Sequence, residues 1–244
     1  MRLVVNGCSH AAGAELEAPS QGWCYEKAWG QHLANKLNWD YTNLAMSGSS
    51  IRRIVRTSYE FLFDYIKKGN STDELFFVVM WPGYFRTELF FDNPHEWNWD
   101  NGWVPLVIGN DKRYKKTFPS DLYNYYRRWV VLTSNKTLVT EYYNYMLNLQ
   151  NLLYRYKIKY LFLNAVEHQL STNDEYNPYK IHIDKTRYPH FLNQSLAYTN
   201  YCGANNRKIS QFSIDSGYNS HYDEDTQKWY ADYLFDLLHE KELL

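Results

Sequence analysis

The stretch "NGCSHAAG", Asn6 to Gly13, places a small hydroxyl, Ser9, between two glycines at the point where an apolar run ends. A Gly-rich turn in that position can cradle phosphate, display a nucleophile or reverse the chain, and these eight residues leave all three open. A serine hydroxyl is a poor nucleophile until a neighbouring imidazole takes its proton. One imidazole, His221 in "GYNSHYDEDTQKWYADYL", stands just before a helical stripe late in the chain. A second tight turn, "SGSS" around Gly48, opens a helix whose N-terminus favours negative charge.

The elements that must position these residues alternate along the chain. Leu3 to Val5 is a short β run, and Tyr25, Trp29, Leu33 and Leu37 recur as one helical face requires. Tyr41 to Ala45 reads as a second strand, and Ile51, Ile54, Val55, Leu62, Tyr65 and Ile66 as a second helical stripe. "ELFFVVMWPG" is a continuous apolar run suited to a buried parallel strand, stopped by Pro82 and Gly83. A long helix is predicted from about Asn135 to Tyr156, followed by the strand "KYLFLNAV" and a last helix carrying Tyr230, Leu234, Leu237 and Leu238. Repeated β-α alternation calls for a parallel sheet with helices on both faces, an α/β fold in the form of a three-layer α/β/α sandwich with flavodoxin-like order. Ligands bind outside the carboxyl ends of such strands. Ser9, Gly48, Trp81 and Asn164 all fall at those ends, and the loop carrying His221 returns to the same edge. A nucleophile, backbone donors and an imidazole then share one cleft.

Bulk properties narrow the class. The 244 residues suffice for one sizeable core, so the whole chain is read as a single domain. Lys plus Arg total 26 against 27 for Asp plus Glu, a balance that draws the protein to neither nucleic acid nor anionic membrane. Cys8, Cys24 and Cys202 have no metal-ligand spacing, and three cysteines do not make a disulfide framework, so a reducing, cytoplasmic setting is expected, without metal or cofactor. No run reaches the roughly 18 apolar residues of a membrane span.

Three blocks resemble the SGNH/GDSL hydrolases, in particular divergent members found in tailed phages of marine bacteria. "VVNGCSHAAG" is similar to the block that displays the nucleophile, with Cys8 where Asp is usual; "NLAMSGSS" to the block whose glycine N–H helps bind the oxyanion; "HYDEDTQKWYA" to the block carrying the general base. The resemblance implies a serine esterase working through an acyl-enzyme, with Ser9 as nucleophile, His221 as base and Gly48 as an oxyanion donor. Its substrate would be a small ester, such as an O-acetylated carbohydrate. The alternative is a catalytically decayed binding or structural protein on the same fold, such as a virion component.

Two departures bear on the chemistry. The family's third block supplies an Asn to the oxyanion hole, whereas this chain has Trp81-Pro82-Gly83, leaving Trp81, Arg86 or Asn164 to replace that donor. The family's acid lies three residues before the histidine, where this chain has Tyr218. Asp215 is then the nearest preceding carboxylate, unless a Ser–His dyad works alone. Asp223 reads as the cap of the last helix.

Residues 89–133 match nothing in the family pattern and form an aromatic-rich insertion. Long loops of this kind are usually lids or binding loops, so Trp97, Trp99 and Trp103 either line a substrate cleft or form a satellite core. "RRIVR" at Arg52 to Arg56 reads as a solvated helix face, "RYKK" at Arg113 to Lys116 as a solvated loop, Arg86 and Glu88 as an exposed pair, and His10 as incidental.

Overall fold

A computed structural model of the chain describes residues 1–17, 23–91, 100, 102–166, 179, 182–188, 197–215 and 221–244. In chain order its elements are β1 (Arg2–Gly7), α1 (Ser9–Ala12), α2 (Trp29–Leu37), β2 (Asp40–Asn43), α3 (Ile51–Lys67), β3 (Leu75–Trp81), β4 (Arg86–Phe90), β5 (Trp103–Val107), α4 (Asp111–Thr117), α5 (Ser120–Leu132), α6 (Asn135–Arg155), β6 (Lys159–Asn164), α7 (Tyr198–Ala204), α8 (Gln211–Asp215) and α9 (Glu224–Glu240).

Four strands form a parallel sheet in the order β2-β1-β3-β6. The continuous apolar run of β3 follows from its place inside the sheet, where every one of its residues is buried. Because side chains alternate across a strand, each face builds its own core. Leu3, Val5, Val78, Met80, Leu161 and Leu163 pack against Trp29 and Leu33 of α2 and Tyr230 and Leu234 of α9. Val4, Phe77, Val79, Trp81 and Phe162 pack against Ile54 and Leu62 of α3 and Tyr142, Met146 and Leu149 of α6. The result is the three-layer α/β/α sandwich expected from the alternation.

Helix starts follow local chemistry. Ser50, Ser134 and Asp223 cap α3, α6 and α9 by accepting from Arg53 N, Thr137 N and Thr226 N. Asp223 therefore has the capping role expected of it.

The insertion builds structure of its own. β4 and β5 form an antiparallel hairpin, and α4 and α5 close over it around Val104, Leu106, Tyr114, Leu122 and Tyr126. "RYKK" thus lies on a helix, not in a loop, because Tyr114 is buried and stacks on Phe118 at 4.2 Å. Trp97 and Trp99 lie outside the described residues. Trp103 covers the Arg56 guanidinium, whose carbon is 4.4 Å from the ring centroid.

The arginines of α3 depart from the solvated reading. Arg56 makes paired bonds to Glu88 (3.1 and 3.1 Å) and reaches Asp100 at 2.5 Å, while Arg53 meets Asp100 at 3.0 Å and the Leu44 carbonyl at 2.9 Å. Glu88 is 4% exposed and pairs across to Arg56, so it is not half of an exposed pair with Arg86. The landing of β4 on α3 buries these charges, and complementary carboxylates keep them ionic. Arg52 ties α3 to α6 through Glu141.

Candidate functional site

The edge at the carboxyl ends of the strands is built from the first turn upward. Asn6, fully buried, accepts from Gly7 N at 2.8 Å and donates to Ile54 O and Ser58 Oγ of α3, which fixes where β1 stops. A Cβ on Gly7 would lie 2.8 Å from Ala11 Cβ and 2.9 Å from Met80 O, so only glycine lets α1 fold back this tightly. Ser9 and His10 follow at once, 7% and 6% exposed. Asn43 at the end of β2 holds the far end of α1 by donating to Ala11 O at 2.9 Å.

His221 arrives at this turn from the other end of the chain. Its ring lies 4.9 Å, centroid to centroid, from that of His10, which in turn lies 5.3 Å from Tyr198. Its Nδ1 is 2.8 Å from Glu15 Oε2, both side chains being largely buried. Ser210 joins the two backbones: its hydroxyl donates to Glu15 O at 2.7 Å and its N–H to His221 O at 2.8 Å. Ser213 Oγ accepts from His221 N. Glu15 sits at φ 60°, a left-handed conformation that costs an ordinary residue about 1–2 kcal/mol.

His10, expected to be incidental, is buried between the His221 and Tyr198 rings. Burial, then the charges of His221 and Arg86, hold its pKa well below the usual histidine value, so it is a neutral imidazole at neutral pH. Its Nδ1 is buried with no hydrogen-bond partner among the described residues.

The three residues expected as alternative side-chain donors lie in different surroundings. Trp81 and Asn164 are opposite each other in the β3–β6 register. Trp81 belongs to the core beneath α3 and α6, edge-on to Phe162, and its indole nitrogen is buried there. Asn164 is fully buried and accepts from the Tyr188 hydroxyl. Arg86 instead reaches back to the Gly48 turn, its Nη1 3.5 Å from Ser49 O, and its charge acts on His10. Gly48 itself has φ 79°, which favours glycine.

Asp215 does not face the imidazole: it is exposed on α8 and accepts from Gln211 at 2.7 Å. The carboxylate on the His221 ring is Glu15, and Tyr218 lies outside the described residues. Sequence reasoning missed Glu15 because the contact spans 206 positions, beyond any local spacing rule. Among the described residues no three His, Cys, Asp or Glu side chains converge as a metal site, and no helix is long and apolar enough to cross a membrane. The three cysteines are free and buried.

Several solved structures share similarity over nearly the whole chain. The psychrotrophic esterase EstA from Pseudoalteromonas sp. is 11% identical, with 98% of this chain and 97% of that chain covered and a TM-score of 0.43. The acetyl xylan esterase AlAXEase is 10% identical over 98% and 100%, at 0.40. A putative lipolytic protein of the G-D-S-L family from Desulfitobacterium hafniense DCB-2 is 9% identical over 97% and 99%, at 0.41. No curated protein matches the sequence. The profile of DUF6071, a family of unknown function, matches residues 16–232, and the chain belongs to that family.

Proposed function

We propose that this protein is a serine ester hydrolase in which Ser9 is the nucleophile, His221 the general base and Glu15 the carboxylate that orients it. The observation that carries the reading is the Glu15–His221 pair at 2.8 Å, beside the turn where β1 delivers Ser9. A carboxylate on Nδ1 selects the tautomer whose Nε2 is free to accept a proton, and it stabilises the imidazolium formed in attack.

In this reading Ser9 Oγ bonds to the ester carbonyl carbon as its proton passes to His221 Nε2. The negative charge goes to the carbonyl oxygen, held by the N–H groups of Ser9 and Gly48, with Arg86 supplying the side-chain donor that Trp81 and Asn164 are too deep to give. The proton then moves from His221 to the departing alcohol, and water, activated by the same imidazole, hydrolyses the acyl-enzyme. The substrate class is a small ester, an O-acetylated carbohydrate being one form.

The test pairs 4-nitrophenyl acetate hydrolysis with labelling by a fluorophosphonate probe. Turnover and labelling at Ser9, both abolished in Ser9→Ala, are the expected result. Silence in both assays from a folded protein overturns the enzyme reading and leaves a binding role for the same edge.

A further inference from the structure

An open pocket of about 510 Å³ lies at the amino end of β6, between the end of α6 and the segment 182–188. The sheet is parallel, so this is the edge opposite the one where β1 delivers Ser9. At about 3.3 Å per residue, the six residues of β6 put roughly 20 Å between the two edges. Four cations line the pocket: Arg155 of α6, Lys157 just after it, Lys159 of β6, and Arg187. None of the four forms an ion pair or a side-chain hydrogen bond among the described residues. Asp184 is the one carboxylate among the described lining residues, and its Oδ1 accepts from the N–H and the hydroxyl of Thr186, at 2.9 and 2.6 Å.

The helix end does not use up these charges. Cations near a helix C-terminus complement its dipole, yet the carbonyls there already have partners. Leu152, Leu153 and Tyr154 accept from the N–H groups of Tyr156, Ile158 and Lys157, and Tyr156 accepts from the Thr72 hydroxyl. Arg187 is held beside β6, its carbonyl accepting from Phe162 N at 2.7 Å. Gln150 of α6 fixes the same segment by donating to His182 O at 2.9 Å and accepting from Asp184 N at 2.7 Å. The Nη1 of Arg187 is nevertheless buried with no hydrogen-bond partner among the described residues. A buried guanidinium nitrogen without an acceptor is costly, and an anionic oxygen in the pocket would supply that acceptor. Tyr160, 5% exposed, lines the same wall; burial, then the charge of Asp184, raise its pKa and Arg187 lowers it, so it is a neutral hydroxyl in the field of both.

We infer that this pocket binds a phosphate ester, its phosphoryl oxygens meeting Arg187 and the two lysines and its ring lying against Tyr154, which lines the pocket and is 80% exposed. Four positive charges against one negative favour a dianion over a single carboxylate, and the planar guanidinium fork suits a phosphoryl group. The volume is that of a small-molecule site, larger than inorganic phosphate fills. The inference does not depend on the esterase reading. A nucleotide and a sugar phosphate present the same phosphoryl group, and the choice of probe separates them.

The full chain is titrated at constant ionic strength with inorganic phosphate, AMP and glucose 6-phosphate, with adenosine and glucose as uncharged controls, and followed by calorimetry and amide chemical shifts. At least one ester is expected to bind about tenfold more tightly than inorganic phosphate, as stacking on an aromatic ring would give. Shifts should centre on residues 157–160 and 184–187, and neither control should produce them. Arg187→Gln should weaken binding about tenfold, and Arg187→Lys should recover part of the loss. Lys159→Gln, at an exposed charge, should weaken it about two- to fivefold. Tyr154→Ala changes a side chain outside the core and should bring the esters down to the affinity of inorganic phosphate. An ester that binds no more tightly than inorganic phosphate overturns the assignment to an ester. Amides unmoved by all three anions, or binding that survives both Arg187→Gln and Lys159→Gln unchanged, overturn the site.

Discussion

Glu15 Oε2 and His221 Nδ1 lie 2.8 Å apart although 206 positions separate the two residues. Neither loop could hold that geometry alone. Glu15 adopts a left-handed backbone, and His221 stands three residues before the start of α9. Ser210 bonds to both backbones, and this joint support offsets the conformational cost at Glu15.

Glu15→Gln keeps the side-chain shape but removes the charge that fixes the imidazole tautomer. Its kcat for 4-nitrophenyl acetate is expected to fall by about 10²–10⁴-fold with little change in KM, approaching the Ser9→Ala baseline. Asp215→Asn, on the exposed face of α8, should change kcat less than about twofold. The reverse pattern would return the acid role to Asp215.

Arg86 and Trp81 make opposed predictions for the oxyanion hole. Arg86→Gln should lower kcat by about 10²-fold while KM stays close to that of the parent. Trp81→Phe, which keeps a ring against Phe162 and loses only a buried N–H, should leave kcat within about threefold. A larger kcat loss in Trp81→Phe than in Arg86→Gln would place the donor on β3.

The Arg56–Glu88 pair can be read by denaturation. Arg56→Met leaves a carboxylate that is 4% exposed without its paired donors, and urea unfolding should show a loss of about 3 kcal/mol. The double change Arg56→Met with Glu88→Leu removes the stranded charge and should recover most of that loss. Equal stability of the single variant and the parent would contradict this account.

His10 sets a pH dependence of stability. Its folded pKa is depressed, so below about pH 6.5 the unfolded chain binds a proton that the folded protein does not. Stability is therefore complete above that pH and falls as the pH drops toward the folded value; His32, also lowered by burial, adds to the same slope. Thermal unfolding between pH 7.5 and 5 should show Tm falling with pH, and His10→Phe should flatten the fall. An unchanged slope in that variant would mean that His10 is charged in the folded state.

Much of the sandwich was legible because β1, β3 and β6 are short apolar runs and α6 keeps a strict three-and-four spacing. Those patterns depend only on which residues face the sheet. Ser9 and Gly48 follow the parallel neighbours β1 and β2, so those two turns lie at the same edge of the sheet, whereas His221 follows no strand and is located by its ring contact with His10. Glu15 was not legible, since its partner is set by how two distant loops meet. Arg53 and Arg56 have the spacing of a solvated face, and only the hairpin laid across them makes that face interior. β4 and β5 are five residues each, and Pro105 interrupts the alternation that would otherwise announce a strand.

The grip of Arg53 and Arg56 on the hairpin also divides the molecule mechanically. The insertion has its own small core, separate from the two that cover the sheet, and Arg53 and Arg56 of α3 hold it through Glu88 and Asp100. It is a small core seated in a polar socket, so a change confined to its apolar interior does not repack the sheet.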